Sequence, residues 1–319
     1  MAARYGVRVW LALVTVYLVW GSTFIALAIV VRDLPPFLAM SLRHLVAGSA
    51  LLLFALPRGD RGHDRIGRRQ IGAAFIFGGL LFVTGHGALA SAQQTVPAGV
   101  AALLVGTIPI WMALFDRVAF GRRLAVGAYV GIAVGFAGLA FLFDPFGAGS
   151  VDRLGALVIV LSAMCWAVGS LYSRGAPLPK RPLVSAGLAS LCGGILLAGY
   201  SLVSGEIGEA VWTTSAVLGL GYLIVAGSFI GFTSYVWLLR AAPISLVSTY
   251  AYVNPIVAVA LGWLILGEDI TTQMVVAGAA VLVSVAVILR SGTTSVDPGR
   301  GLFTRQRSIA ATAATERTA

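Results

Sequence analysis

The stretch APISLVSTYAYVNPIVAVALGWLILGED, residues 242–269, decides the fold because its skeleton occurs twice. Pro243, Pro255 and Gly267 stand twelve residues apart, and so do Pro97, Pro109 and Gly121, 146 residues upstream. The same offset carries Trp20 onto Trp166. A chain rich in Gly and Ala gives chance coincidences, so the register alone proves little. The apolar segments, however, fall in the same order in both halves, which reads as two five-segment units.

Composition fixes the solvent of those segments. Of 319 residues, 59% are hydrophobic and 11% charged, with a mean hydropathy of +0.94. A soluble domain averages roughly 25% charged residues and has no interior large enough for this much apolar side chain. Ten stretches, near residues 9–31, 36–56, 70–92, 97–116, 124–143, 154–173, 183–203, 215–238, 243–266 and 272–290, can each hold a span of about 20 residues. Their length and lack of polar alternation favour helices over a membrane barrel. The expected fold is an all-α integral membrane protein of ten transmembrane helices in two five-helix units, 1–145 and 146–290, followed by a disordered cytoplasmic tail, 291–319. Because five is odd, the second unit enters the membrane from the side opposite the first. That is an inverted repeat, as in many secondary transporters.

The net charge of +10 would suit nucleic acid if it formed one patch. Instead it reports orientation. With the N-terminus inside, nineteen basic residues fall on the inner side and two, Arg32 and Arg153, on the outer side, while Arg43 lies within a span. Both termini are therefore expected in the cytoplasm. The repeat agrees: Gly121-Arg122-Arg123 follows the fourth span, and its counterpart Gly267-Glu268-Asp269 follows the ninth. Cys165 and Cys192 lie in apolar segments and read as packing residues, with neither a disulfide nor a metal site implied.

Several residues stand out within the spans. Trp20 and Trp166 lie around mid-span, away from the interfacial belts, and Tyr17 and Phe24 share a face with Trp20. Rings from both halves can stack a solute, the competing reading being an aromatic packing ridge. His86, between Gly85 and Gly87, is the ionisable side chain deep in the third span. It suits a cavity group or a structural hydrogen bond between helices. Arg43 and His44 lie within about two turns of the outer end of the second span, where Arg43 suits either attraction of an anionic group from the outer vestibule or snorkelling to the headgroups, the second being the favoured reading. The ninth span is the most polar, with Ser245, Ser248, Thr249, Tyr250, Tyr252 and Asn254 before Pro255, where a kink is expected. Thr107 is the corresponding polar group near Pro109. Tyr235, with Ser234 and Trp237, marks the eighth span, and Gln93 and Gln94 lie beside the outer mouth. All twelve carboxylates fall in loops, near span ends or in the tail, so coupling through a buried Asp or Glu is not expected. No phosphate-binding GxxxxGK[ST] loop is present.

The repeat, Trp20-Gly21-Ser22-Thr23, the Ala-Pro…Pro…Gly-Glu skeleton and the basic loops together resemble the EamA family of the drug/metabolite transporter superfamily over about residues 8–290. Within that family the general look is similar to YddG-type bacterial exporters of aromatic amino acids. The resemblance implies two inverted five-helix halves around a cavity lined by the first, third, fourth, sixth, eighth and ninth helices. The second and seventh would be gates, and the fifth and tenth peripheral. The expectation is a bacterial inner-membrane exporter of small organic metabolites by alternating access, with aromatic or other apolar amino acids as substrates. Small polar amino acids, nucleosides or drugs are the alternative. Trp20 and Trp166 would stack the side chain and His86 and Asn254 would hold the polar end, with Tyr17, Phe24, Thr107, Tyr235 and Tyr252 as further substrate-binding candidates. No catalytic residue, metal or cofactor is expected. The partners would be a small-molecule substrate and membrane lipid, with no nucleic acid, and the chain would act as a monomer, with a homodimer as the other state.

Overall fold

A computed structural model describes residues 6–58, 66–121, 124–142, 152–242, 244–247 and 249–291. The repeat marker Pro243, the loop arginines Arg122 and Arg123, Ser248, the side chain of Ser245 and the tail from residue 292 lie outside the described residues. Within them the chain is helical, with no strand. Ten helices follow in order. They are α1 (Val7–Val30), α2 (Pro36–Ala55), α3 (Arg68–Ala92), α4 (Ala98–Val105 and Ile108–Phe120), α5 (Val126–Leu142), α6 (Arg153–Ser173), α7 (Pro182–Ser204), α8 (Thr214–Tyr222, Leu223–Gly231 and Phe232–Ala241), α9 (Ile244–Val247, Tyr250–Leu261 and Gly262–Leu266) and α10 (Thr272–Ser291). Eight are long and apolar enough to cross a bilayer, while α5 and the Tyr250–Leu266 part of α9 are shorter. The spans expected from sequence match these limits within a few residues. One detail differs: α9 continues as helix through Pro255, and the irregularity falls before Tyr250.

Packing follows the repeat. Helix α2 lies along α7, α4 along α9 and α5 along α10, each helix meeting its own counterpart. Further contacts come in exchanged pairs: α1 meets α9 as α6 meets α4, α1 meets α8 as α6 meets α3, and α3 meets α7 as α2 meets α8. This is the pattern of two interlocked halves related by a pseudo-twofold axis. Small residues allow the closest crossings, as is usual where lipid provides no hydrophobic drive between helices. A Cβ on Gly48 of α2 would stand 2.5 Å from the backbone nitrogen of Leu191 in α7. On Gly78 of α3 it would stand 2.4 Å from the carbonyl oxygen of Ala189.

The helix ends explain the opposite charges of the two faces. Gly121 (φ 65°) and Gly267 (φ 67°) terminate α4 and α9 in the left-handed conformation, where a side chain would be strained. Beyond Gly267, the Glu268 carboxylate accepts from the backbone N–H groups of Ala98 (2.6 Å) and Gly99 (3.0 Å), at the start of α4. Beyond Gly205 (φ 81°), which ends α7, Glu206 accepts from Leu38 (2.8 Å) and Phe37 (3.4 Å), at the start of α2. Asp152 caps α6 through Leu154 (3.1 Å), Thr213 caps α8 through Ala216 (3.1 Å), and Thr271 caps α10 through Met274 (3.1 Å). All five helices that begin on this face thus begin on a side-chain oxygen, and three of the five are carboxylates, as the positive end of a helix dipole favours. Thr95 donates a further hydrogen bond to Asp152 (2.5 Å), holding that carboxyl below the usual carboxylate range.

Candidate functional site

A cavity of about 770 Å³ lies between the halves, lined from every helix except α5 and α10. Helices α2 and α7, expected only as gates, contribute Arg43, His44, Ser185 and Ser190 to its wall. The lining continues to Ala176, Leu178 and Pro179 in the α6–α7 loop, so the cavity extends to the face that carries Arg174 and Lys180. At the opposite face is a separate vestibule of about 350 Å³ beside Arg32, Asp33, Gln94 and Glu206. Along α1 the two are close: Leu27 lines the cavity and Val31 the vestibule, roughly one helical turn apart.

Two tryptophans enter this cavity by equivalent routes. The Trp20 ring sits against Gly231 of α8, where a Cβ would be 2.5 Å from Nε1, and Trp166 sits against Gly85 of α3, where a Cβ would be 3.1 Å from its ring. Gly85 and Gly231 keep the same 146-residue offset as the tryptophans. Each lies in a wide turn with i→i+5 character, Gly79–Gly87 in α3 and Leu223–Gly231 in α8. Such turns interrupt regular helices chiefly where function demands a local shape. Trp20 donates from Nε1 to the carbonyl of Gly227 (3.2 Å) and packs against Tyr235 and Tyr250, both 5.2 Å away between ring centroids. Trp166 lies 5.0 Å from His86 and 6.5 Å from Phe82.

The polar side of the cavity was only partly visible in the sequence. His86 does not stand alone: its Nδ1 is 2.9 Å from Nε2 of His44, whose Nδ1 is 2.9 Å from the Ser190 hydroxyl. That hydroxyl also donates to the backbone carbonyl of His44 (3.3 Å), so it accepts from His44 Nδ1–H, and His44 Nε2 then accepts from His86. This assignment leaves His86 Nε2 as an acceptor. Arg43 corrects the snorkelling expectation. Its side chain is 7% exposed and turns into the bundle, where Nε donates to the Ser228 hydroxyl (3.1 Å) and the guanidinium lines the cavity. Glycine at 227 makes the room, since a Cβ there would lie 3.2 Å from Nη2.

Of the residues singled out from sequence, Trp20, Phe24, His86, Trp166, Tyr235 and Asn254 line this cavity together, and so do Arg43, His44 and Tyr250. Asn254 is 9% exposed and its Oδ1 has no hydrogen-bond partner. Tyr17, Thr107 and Tyr252 do not line it. Tyr17 hydrogen-bonds Thr249 through its hydroxyl, next to the apolar packing of α1 on α8 and α9. Thr107, fully buried, donates to Leu104 (2.6 Å) and accepts from Trp111 Nε1 (3.2 Å), bridging the irregular turn of α4. Tyr252 reaches outward to the carbonyl of Val285 in α10 (3.2 Å). Gln93 donates to the carbonyl of Phe24 (3.1 Å), tying α3 to α1, and Trp237 is exposed on the outer surface of the bundle. Ser190, Phe82 and Ser228 were missed, and Arg43 and His44, singled out in the sequence, were not assigned to the cavity. Adjacent Arg43 and His44 deep in an apolar span were the available signal.

No carboxylate lines the cavity, and no cluster of metal-binding side chains occurs among the described residues. Asp116, buried at the far end of α4, pairs with Arg174 at 3.1 Å, outside the cavity wall. The cavity wall is thus mostly apolar and aromatic, with its polar groups gathered at Arg43, His44, His86, Ser190, Ser228 and Asn254.

Comparison with known proteins places this architecture. The profile of the EamA-like transporter family matches twice, over residues 8–144 and 153–290. An uncharacterized inner membrane transporter of Escherichia coli (strain K12), YedA, is 37% identical over 261 residues, spanning 82% of this chain and 83% of its own. The uncharacterized transporter YoaV of Bacillus subtilis (strain 168) is 24% identical over 291 residues, spanning 91% and 98%. A solved crystal structure shares the fold with a TM-score of 0.60 at 23% identity, covering 87% of this chain and 94% of that one. With ten helices in two interlocked halves around a central cavity and both halves matched by one profile, the chain is a multi-pass membrane transporter that belongs to the EamA-like transporter family.

Proposed function

We propose that this transporter exports small organic metabolites across a bacterial inner membrane by alternating access, with aromatic or other apolar amino acids as its solutes. The observation that carries the proposal is the pair Trp20 and Trp166, one from each half, lining one cavity together with Phe24, Phe82, Tyr235 and Tyr250. Rings held from both sides offer stacking surfaces whose separation changes as the halves rock, which links occupancy to reorientation. The basic loops favour cytoplasmic termini. In that orientation the cavity extends to the cytoplasmic face and only about one turn of α1 separates it from the outer vestibule.

Flux into proteoliposomes tests this directly, with labelled tryptophan, phenylalanine, threonine and a nucleoside, each with and without an imposed pH gradient. Saturable flux confined to the aromatic solutes is expected. Clear transport of threonine or the nucleoside without aromatic flux would retain the carrier and overturn the assigned substrates. Acceleration by the gradient would identify proton coupling, for which the His44–His86 pair is the cavity's titratable candidate.

A further inference from the structure

Among the described residues, Arg43 is the one permanent charge on the cavity wall, and it faces no carboxylate there. Burying a guanidinium inside a membrane-spanning bundle is costly unless its donors and its charge find partners. Nε has the Ser228 hydroxyl, but among the described residues the two terminal nitrogens have no protein acceptor. The surroundings do not neutralise the charge. The His44–His86–Ser190 chain is neutral and ends in the acceptor His86 Nε2, and Asn254 Oδ1, unpaired among the described residues, is a second neutral acceptor. Gly227 leaves room for the guanidinium, since a Cβ there would lie 3.2 Å from Nη2, and its carbonyl accepts from the Trp20 indole. A planar fork of donors on the wall of a cavity that also carries aromatic rings matches a carboxylate on an apolar body.

We infer that Arg43 binds the solute's carboxylate, and that the cavity selects apolar monocarboxylates in which an α-ammonium group is dispensable. This rests on the reading of the cavity as the transport site and names what that site recognises. An ammonium group meets neutral acceptors, Asn254 Oδ1 and His86 Nε2 among them, and no counter-charge, while the carboxylate meets Arg43. A des-amino acid therefore binds at least as tightly as the corresponding amino acid, and the corresponding amine binds far more weakly. A charge-assisted contact of this kind is worth roughly ten- to a hundredfold in affinity.

The test is equilibrium binding to the purified full chain with four probes: phenylalanine, 3-phenylpropionate, phenethylamine and 4-methylpentanoate. The expected result is binding of phenylalanine and 3-phenylpropionate, with phenethylamine at least about tenfold weaker. Arg43→Gln should lose about ten- to a hundredfold for the acids and leave the amine unchanged. The thermal midpoint of the unliganded variant reports its folding. Should Arg43→Gln fail to fold, Arg43→Lys, which keeps the charge and loses the fork, should weaken the acids alone. Phenethylamine binding as tightly as 3-phenylpropionate, undiminished acid binding in the variants, or no acid binding at all would overturn the inference. Equal binding of 4-methylpentanoate and 3-phenylpropionate would remove the aromatic preference while upholding the role of Arg43.

Discussion

At the residue scale, position in the sequence predicted depth and failed to predict direction. Trp20 and Trp166 were legible because a 146-residue offset singles them out, and the structure gives them matching glycine seats. Arg43 was misread because its place in α2 permits both snorkelling and inward burial, and only the position of α8 decides between them. His44 was passed over for the same reason: a residue in α2 meets His86 only once α2 and α3 are packed. Replacing Trp20 with Ala removes a stacking face and the bond to Gly227, and should lower aromatic flux about tenfold or more at unchanged membrane expression. Equal flux in the variant would assign Trp20 to packing against Tyr235 and Tyr250. Replacing His44 with Ala strands the His86 Nδ1–H and leaves the Ser190 hydroxyl only its bond to the backbone carbonyl of residue 44, which should cost roughly 1–3 kcal/mol, read as a lower thermal midpoint in detergent.

At the element scale, the face that carries Asp152, Glu206 and Glu268 is acidic for a reason beyond insertion. Five helices start there on side-chain oxygens, and Glu206 and Glu268 reach across from the second half to cap α2 and α4 of the first. The role of Glu268 could not be read from its position after Gly267, because the N-terminus it caps is 170 residues away in sequence. Glu268→Gln keeps an acceptor and loses the charge at a helix N-terminus, and should cost about 0.5–2 kcal/mol. A thermal midpoint equal to that of the parent chain would contradict the capping role. Packing of α3 on α7 is equally specific. Gly78→Ala drives a methyl group into the backbone of Ala189 and Gly193, and an overpacked contact of this kind costs about 1–3 kcal/mol. A Gly78→Ala chain as stable as the parent would show that α3 and α7 separate freely.

At the scale of the whole molecule, span number and order were readable because each span is a long apolar run, and the repeat supplied the pairing of halves. What sequence could not supply was the rotation of each helix, since lipid-facing and buried sides are both apolar. Hence Tyr17, Thr107 and Tyr252, correctly placed on cavity helices, turn out to face neighbouring helices. The orientation of the termini is a separate prediction. A reporter fused after the C-terminus should be active only in the cytoplasm, and periplasmic activity would reverse the assignment of both faces.

The central claim is that a solute sits between the halves in a cavity exposed alternately to the two sides. The most direct measurement places a cysteine at Phe24, which lines the cavity, in a chain whose Cys165 and Cys192 are replaced by serine. An impermeant thiol reagent is then applied separately to each side of oriented vesicles. The account predicts reaction from either side, suppressed from both by saturating tryptophan. Reaction from one side only, unaltered by any solute, would contradict it.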